Sequence, residues 1–170
     1  MKRLILSTLV LTGFAINANA QATATATATA TIVTPISITK TADMSFGNIA
    51  VQAASGGTVI LSPAGTRTTG GGGGVTLPAT TGTVTAAAFT VNGNGSYTYA
   101  ITLPSSAVTL TRVANVETMD ATAFTSTPSG TGTLSGGTQN LTVGATLTVA
   151  AAQVPGVYNS ANFNVTVNYN

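Results

Sequence analysis

The 170-residue sequence predicts an all-β protein built as an antiparallel β-sandwich. Three observations predict it. Runs such as Tyr97-Thr98-Tyr99-Ala100-Ile101-Thr102-Leu103 alternate in polarity, as a strand with one buried face does. No long segment beyond residue 20 spaces its apolar residues at three and four, and Thr, Val and Gly, poor helix formers, dominate it. Turn clusters also recur at short intervals: Ser62-Pro63-Ala64-Gly65, Asn92-Gly93-Asn94-Gly95, Thr127-Pro128-Ser129-Gly130 and Ser135-Gly136-Gly137. Many short strands between regular turns fit a sandwich or a barrel. The sandwich is favoured because it can leave an edge open to another strand.

The elements follow in order. Met1-Lys2-Arg3, an apolar stretch from Leu4 to Ile16 and Ala18-Asn19-Ala20 read as a secretory signal peptide over residues 1–20. The apolar stretch is too short to span a bilayer, and no second one follows, so no membrane span is expected. Residues 21–31 form an Ala/Thr alternating arm, and one domain is expected over residues 32–170. In the arm Ala22, Ala24, Ala26, Ala28, Ala30 and Ile32 share one parity and threonines the other, so an extended chain would carry methyls on one face and hydroxyls on the other. The register continues into Ile36 and Ile38, and a strand of that length would span on the order of 55 Å, more than one small domain needs. The arm is therefore either a strand to be donated or the start of the domain's own first strand.

Further strands are expected at Met44–Phe46, Thr58–Leu61, Ala88–Val91, Ser96–Leu103, Ala107–Val113, Ala121–Thr125 and Asn140–Val149, the last interrupted at Gly144. Asn92 to Gly95 reads as the turn of a hairpin, because Asn and Gly accept positive φ. Gly70 to Gly74 reads as a flexible connection; no Lys-Ser or Lys-Thr follows to make it a phosphate loop. Residues 161–170 alternate throughout, with Phe163, Val165, Val167 and Tyr169 inward, and Gly156 lies just upstream.

Composition narrows function. With Lys2 and Arg3 removed by processing, Lys40, Arg67 and Arg112 balance Asp43, Glu117 and Asp120. There is no basic cluster for nucleic acid. Charged residues are 5% of the chain, against about 25% in an average soluble domain, and a nearly uncharged surface favours association. The chain holds no His and no Cys, which removes the commonest general base, the thiol nucleophile and disulfides. Glu117 and Asp120 are expected to be solvated turn residues rather than a glycosidase pair, and Asp43 a turn cap. No catalytic, metal or cofactor site is expected, and the protein is read as a non-enzyme.

The stretches TPISITKTADMSFGNIA (34–50), VILSPAGTRT (59–68), GSYTYAITLPSS (95–106), LTVGATLTVAAAQVPGVY (141–158) and FNVTVNYN (163–170) resemble, in the same order, a secreted bacterial family of the type domain of unknown function 4402. The carboxyl end, a Gly followed by an alternating strand with a penultimate aromatic, also resembles spore-coat-U-type and other pilins of chaperone–usher systems. That resemblance implies an immunoglobulin-like or pilin-like sandwich lacking its last strand, completed by a neighbour's amino-terminal extension. Carried onto this chain, Ala22, Ala24, Ala26, Ala28, Ala30 and Ile32 are the candidate donor strand. Gly156, Phe163, Val165, Val167 and Tyr169 mark the strand bordering the groove. The implied partners are a second copy of the chain or a periplasmic chaperone. The implied protein is a structural subunit in the periplasm, at the cell surface or outside the cell. The alternative is a self-complete secreted sandwich that binds or adheres to something extracellular; ice binding by Thr-x-Thr arrays ranks well below both. Two departures stand out: pilin donor strands usually offer larger apolar residues than alanine, and this chain has no disulfide.

Overall fold

The structure is a computed structural model that describes residues 21–170; the expected signal peptide lies outside the described residues. The chain divides into two units, Met1–Ile32 and Val33–Asn170. In the first, residues 21–32 carry no regular secondary structure and are exposed. The long alternating strand is therefore absent over this stretch: Ala and Thr without an apolar partner bury too little to fix an extended chain.

The second unit is all β. Its strands are β1 (Ser37–Ala42), β2 (Ser45–Phe46), β3 (Ala50–Val51), β4 (Gly57–Leu61), β5 (Arg67–Gly70), β6 (Val75–Thr76), β7 (Val84–Thr85), β8 (Ala87–Asn92), β9 (Thr98–Thr102), β10 (Val108–Arg112), β11 (Thr118–Thr127), β12 (Thr131–Thr133), β13 (Thr138–Val149), β14 (Tyr158–Ser160) and β15 (Thr166–Tyr169). All pairings are antiparallel. The largest sheet runs β1-β8-β13-β11-β10-β14, with β4 and β5 branching from β13; a second runs β12-β9-β15; β2-β7 and β3-β6 are short ribbons. Among the described residues no helix is long and apolar enough to cross a membrane.

The spine of the large sheet is β13. Its first half pairs with β8 from Thr138↔Asn92 to Val143↔Ala87, and its second half with β4 from Ala145↔Leu61 to Val149↔Gly57. Gly144, expected to interrupt the strand, is instead the position where one neighbour replaces the other. On the opposite side β11 accompanies β13 and carries a bulge between Thr122 and Thr125, with Ala123 at a φ of 48°. This curls the sheet and divides the core in two. One cluster centres on Val59, Leu61, Ala145, Leu147 and Val149. The other draws Ala87, Val91, Leu141 and Val143 from the large sheet against Tyr99 and Val167 of the small one and Leu134 just after β12. Tyr99 is fully buried, and its hydroxyl donates to Gln139 Oε1 at 2.8 Å. Burial raises its pKa.

Several expectations are corrected here. Asn92 to Gly95 does not close a hairpin, because β8 and β9 belong to different sheets. The turn carries the chain between them, bound to the Ser135–Gly137 turn by Gly93 N–H to Gly137 O (2.9 Å) and Gly137 N–H to Gly95 O (2.8 Å). The five glycines are a loose connection only in part: Gly70 ends β5 and Gly74 is packed, while Gly71 to Gly73 are exposed. Gly74 is buried, its N–H donates to Gly56 O at 3.0 Å, and a Cβ there would overlap Ser55 O. At the carboxyl end only Thr166–Tyr169 pairs as strand; residues 161–165 pair with no strand.

Candidate functional site

The sheet curl leaves an open groove of about 1400 Å³ on its concave face. Its floor holds Phe89 of β8, Leu110 of β10, and Met119 and Phe124 of β11, all half-buried. One wall is β1, through Ile38, Lys40 and Ala42; the other is the chain from Gln153 to Val165. Each wall presents backbone without a strand partner on the groove side. β1 pairs only with β8, and residues 161–165 approach β15 unpaired. Phe163 leans onto the floor, its ring 5.3 Å from that of Phe124 at 42°. Packing of this kind contributes about 0.5–1.5 kcal/mol beyond area burial.

One end of the groove is tied shut. Tyr169 Oη accepts from Asn94 N–H at 2.6 Å and donates to Thr34 O at 2.9 Å, joining the last strand to the chain entering β1. The Tyr97 and Tyr169 rings lie 5.6 Å apart. Gly93 makes room for this clasp: a Cβ there would overlap Tyr169 Oη and lie 2.8 Å from Leu134 Cδ1. The groove lining includes none of these residues and extends from Ile38 and Val165 away from them.

The other end lies beyond the end of β13. Thr148 pairs with Asp120, which places the β10–β11 turn there. Gln153 Nε2 donates to Thr118 O at 3.1 Å, and Val113 N–H donates to Val157 O at 2.8 Å. Beside this turn Arg112 grips Glu117 with two hydrogen bonds, Nε to Oε2 at 2.9 Å and Nη2 to Oε1 at 3.0 Å. The hydrogen bonds from Arg112 hold the Glu117 carboxyl at about 2, well below its ordinary 4.5. The Arg112 guanidinium is raised in turn by the same partner.

The remaining charges are also occupied. Lys40 Nζ reaches Asp43 Oδ1 at 2.6 Å on the exposed rim, so Asp43 is an ion-pair partner rather than a turn cap. Arg67 donates to the carbonyls of Phe46, Asn48 and Thr81, and Asp120 accepts from Thr109 Oγ1 at 2.7 Å. Glu117 and Asp120 thus engage different partners; Asp120 stands within β11 rather than in a turn.

The sequence-predicted residues divide accordingly. Phe163 and Val165 line the groove, as does Gly156, although Gly156 lies in the loop at the far end and not on the bordering strand. Val167 is buried in the core, and Tyr169 forms the clasp rather than the wall. The candidate donor residues lie in the first unit, and their side chains are exposed. Sequence reasoning missed the floor and the β1 wall. The Ile36–Ile38 register was the available signal for that wall.

No curated protein and no solved structure matches the chain. A family profile matches residues 36–169, from just before β1 to the clasp tyrosine, and on that match the chain belongs to the family described as Domain of unknown function (DUF4402).

Proposed function

We propose that this domain is an incomplete immunoglobulin-like, pilin-like sandwich and that the protein is a non-catalytic structural subunit assembled by β-strand addition after export. The observation that carries the reading is the groove with two unpaired walls, β1 and residues 161–165, over a half-buried apolar floor. An extended segment laid between them gains main-chain hydrogen bonds on both sides and places alternate side chains on the floor. Unpaired walls favour a peptide over a lipid or other ligand without backbone groups, because only a peptide satisfies both rows of N–H and C=O groups. The segment this chain offers is its own arm, with Ala22 to Ile32 on one parity, supplied by another copy.

The test is deletion of residues 21–31. The exported protein, expressed with its leader and purified after processing, is expected to form concentration-dependent oligomers in sedimentation velocity. The deletion variant is expected to remain monomeric with its fold intact by circular dichroism. Oligomers of unchanged size and affinity without the arm would refute strand addition by this segment and leave the self-complete binding domain as the better reading.

A further inference from the structure

The two ends of the domain differ in a way that specifies how copies meet. The strand β13 runs from one to the other, and its twelve residues span about 40 Å at the usual rise per residue. At the clasp end stand Gly93, Tyr97 and Tyr169, together with Thr34, where the chain enters the domain from the arm. At the opposite end the groove's Gln153–Val165 wall begins, next to the β10–β11 turn.

That opposite end carries an exposed apolar lip. Val116 is 87% exposed, Val157 66%, Val113 51% and Val154 39%, and the Val113–Val157 backbone bond holds the two segments together. Val154 and Val157 also line the groove, so the lip is the groove's own rim continued outward. The nearby charges, Arg112 and Glu117, neutralise each other. Exposed apolar clusters with a polar surround mark interaction sites.

We propose that the valine lip is the seat for the clasp end of a second copy, so that copies associate head to tail; this rests on the strand-addition reading above. The occupant follows from where the arm is attached. An arm inserted into a neighbour's groove starts at its own domain's Val33–Thr34, at the clasp end. The groove it enters is closed by the acceptor's clasp and opens at the acceptor's lip. The surface brought against the lip is therefore the one around Thr34, where Tyr97, 47% exposed, supplies an aromatic face. Such a contact joins two different surfaces and propagates instead of closing a dimer.

The absence of cysteine makes a direct test available. Ser96→Cys places a thiol at the clasp end and Val116→Cys one on the lip. These sites lie near opposite ends of β13, too far apart for a bond within one domain, since a disulfide needs Cα atoms within about 7 Å. The double variant of the full exported protein, oxidised at a concentration where sedimentation velocity shows the parent protein assembled, is expected to give a ladder of covalent oligomers on a non-reducing gel. Each single variant is expected to give at most dimers. In parallel, Val116→Lys combined with Val157→Lys, both at exposed positions, should leave the melting temperature unchanged and weaken assembly at least tenfold. No ladder, or unweakened assembly by the Lys variant, would overturn the head-to-tail seat. If arm deletion nonetheless abolishes assembly, strand addition stands and only this inference falls. If arm deletion leaves assembly intact, the strand-addition reading fails first.

Discussion

The clasp at Tyr169 makes a prediction with a built-in sign. Tyr169→Phe removes the hydroxyl that accepts from Asn94 N–H and donates to Thr34 O. Two net hydrogen bonds correspond to about 1–3 kcal/mol. For a domain of this size that lowers the melting temperature by roughly 3–9 °C. Gly93→Ala meets the same atom from the other side. Gly93 has no positive φ, so the backbone tolerates alanine, but the new Cβ would overlap Tyr169 Oη. The ring must leave, taking with it both hydrogen bonds and its contact with Tyr97, a loss of about 2–4 kcal/mol. In the Tyr169→Phe background the overlapping atom is already gone. The remaining neighbours, Leu134 Cδ1 at 2.8 Å and Tyr169 Cζ at 3.1 Å, ask only for a small shift. Gly93→Ala should then cost about 1 kcal/mol, an overpacking cost at the low end. Urea denaturation of the four proteins, each with residues 21–31 deleted and confirmed monomeric by sedimentation, gives the coupling directly. The expected value is about 1–3 kcal/mol of relief. Equal costs of Gly93→Ala in the two backgrounds, within about 0.5 kcal/mol, would refute the clasp as the reason for the glycine.

Three further outcomes are expected. Leu147→Ala, at a site 1% exposed beneath the groove, should cost about 2–5 kcal/mol in the same denaturation assay. Ala123→Gly should stabilise the domain by about 0.5–1 kcal/mol, because a φ of 48° costs alanine about 1–2 kcal/mol and glycine only its smaller entropic penalty; a net loss would mean the bulge is not strained. Glu117 titrates at about 2 when folded and near 4.5 otherwise, so its pairing with Arg112 stabilises above the ordinary carboxylate range and is lost as pH falls through about 2. Glu117→Gln should therefore flatten the fall in stability between pH 4.5 and 2, read by thermal melts at each pH, and leave the profile above pH 6 parallel to the parent.

The all-β character was legible because alternation is local: Tyr99, Ile101, Leu141 and Val143 announce a buried face within a few residues of themselves. The turns were legible as turns, but not what they join. Asn92-Gly93-Asn94-Gly95 has hairpin chemistry, yet its neighbours pair with β1, β13, β12 and β15, all remote in sequence. Short strands such as β3, β6 and β7 have two residues each and no periodicity to read. The groove was half legible. Phe163 and Val165 show in the carboxyl-terminal alternation, whereas Phe89, Leu110, Met119 and Phe124 read as ordinary inward residues, since nothing local says that no layer covers them. Tyr169 was singled out for its position, and its hydrogen bonds to Thr34 and Asn94 are long-range facts that no window of sequence contains.

In the proposed assembly the arm and the valine lip contribute to one association free energy. The five alanine methyls contribute about 0.8 kcal/mol each when buried, on the order of 4 kcal/mol together, and Ile32 about 1.5–3 kcal/mol more. A strand of valines or leucines in the same positions would contribute about 1.5–3 kcal/mol each. Association costs roughly 4–15 kcal/mol before any interface appears as affinity. Alanine burial alone is thus close to cancelled, and the main-chain bonds along β1 and residues 161–165 must supply much of the surplus, at about 0.5–1.5 kcal/mol each. A second contact, engaged by the body of the same neighbour, adds to the arm without a further association cost, because the neighbour is already tethered. In the proposed assembly the exposed apolar rim at the open end of the groove supplies that contact. Among the described residues Lys40, Arg67 and Arg112 balance Asp43, Glu117 and Asp120, so no net side-chain charge opposes the approach of identical copies. In the proposed assembly a weak strand, a small lip and a surface of balanced charge each do little alone; together they predict association that is reversible and sensitive to concentration.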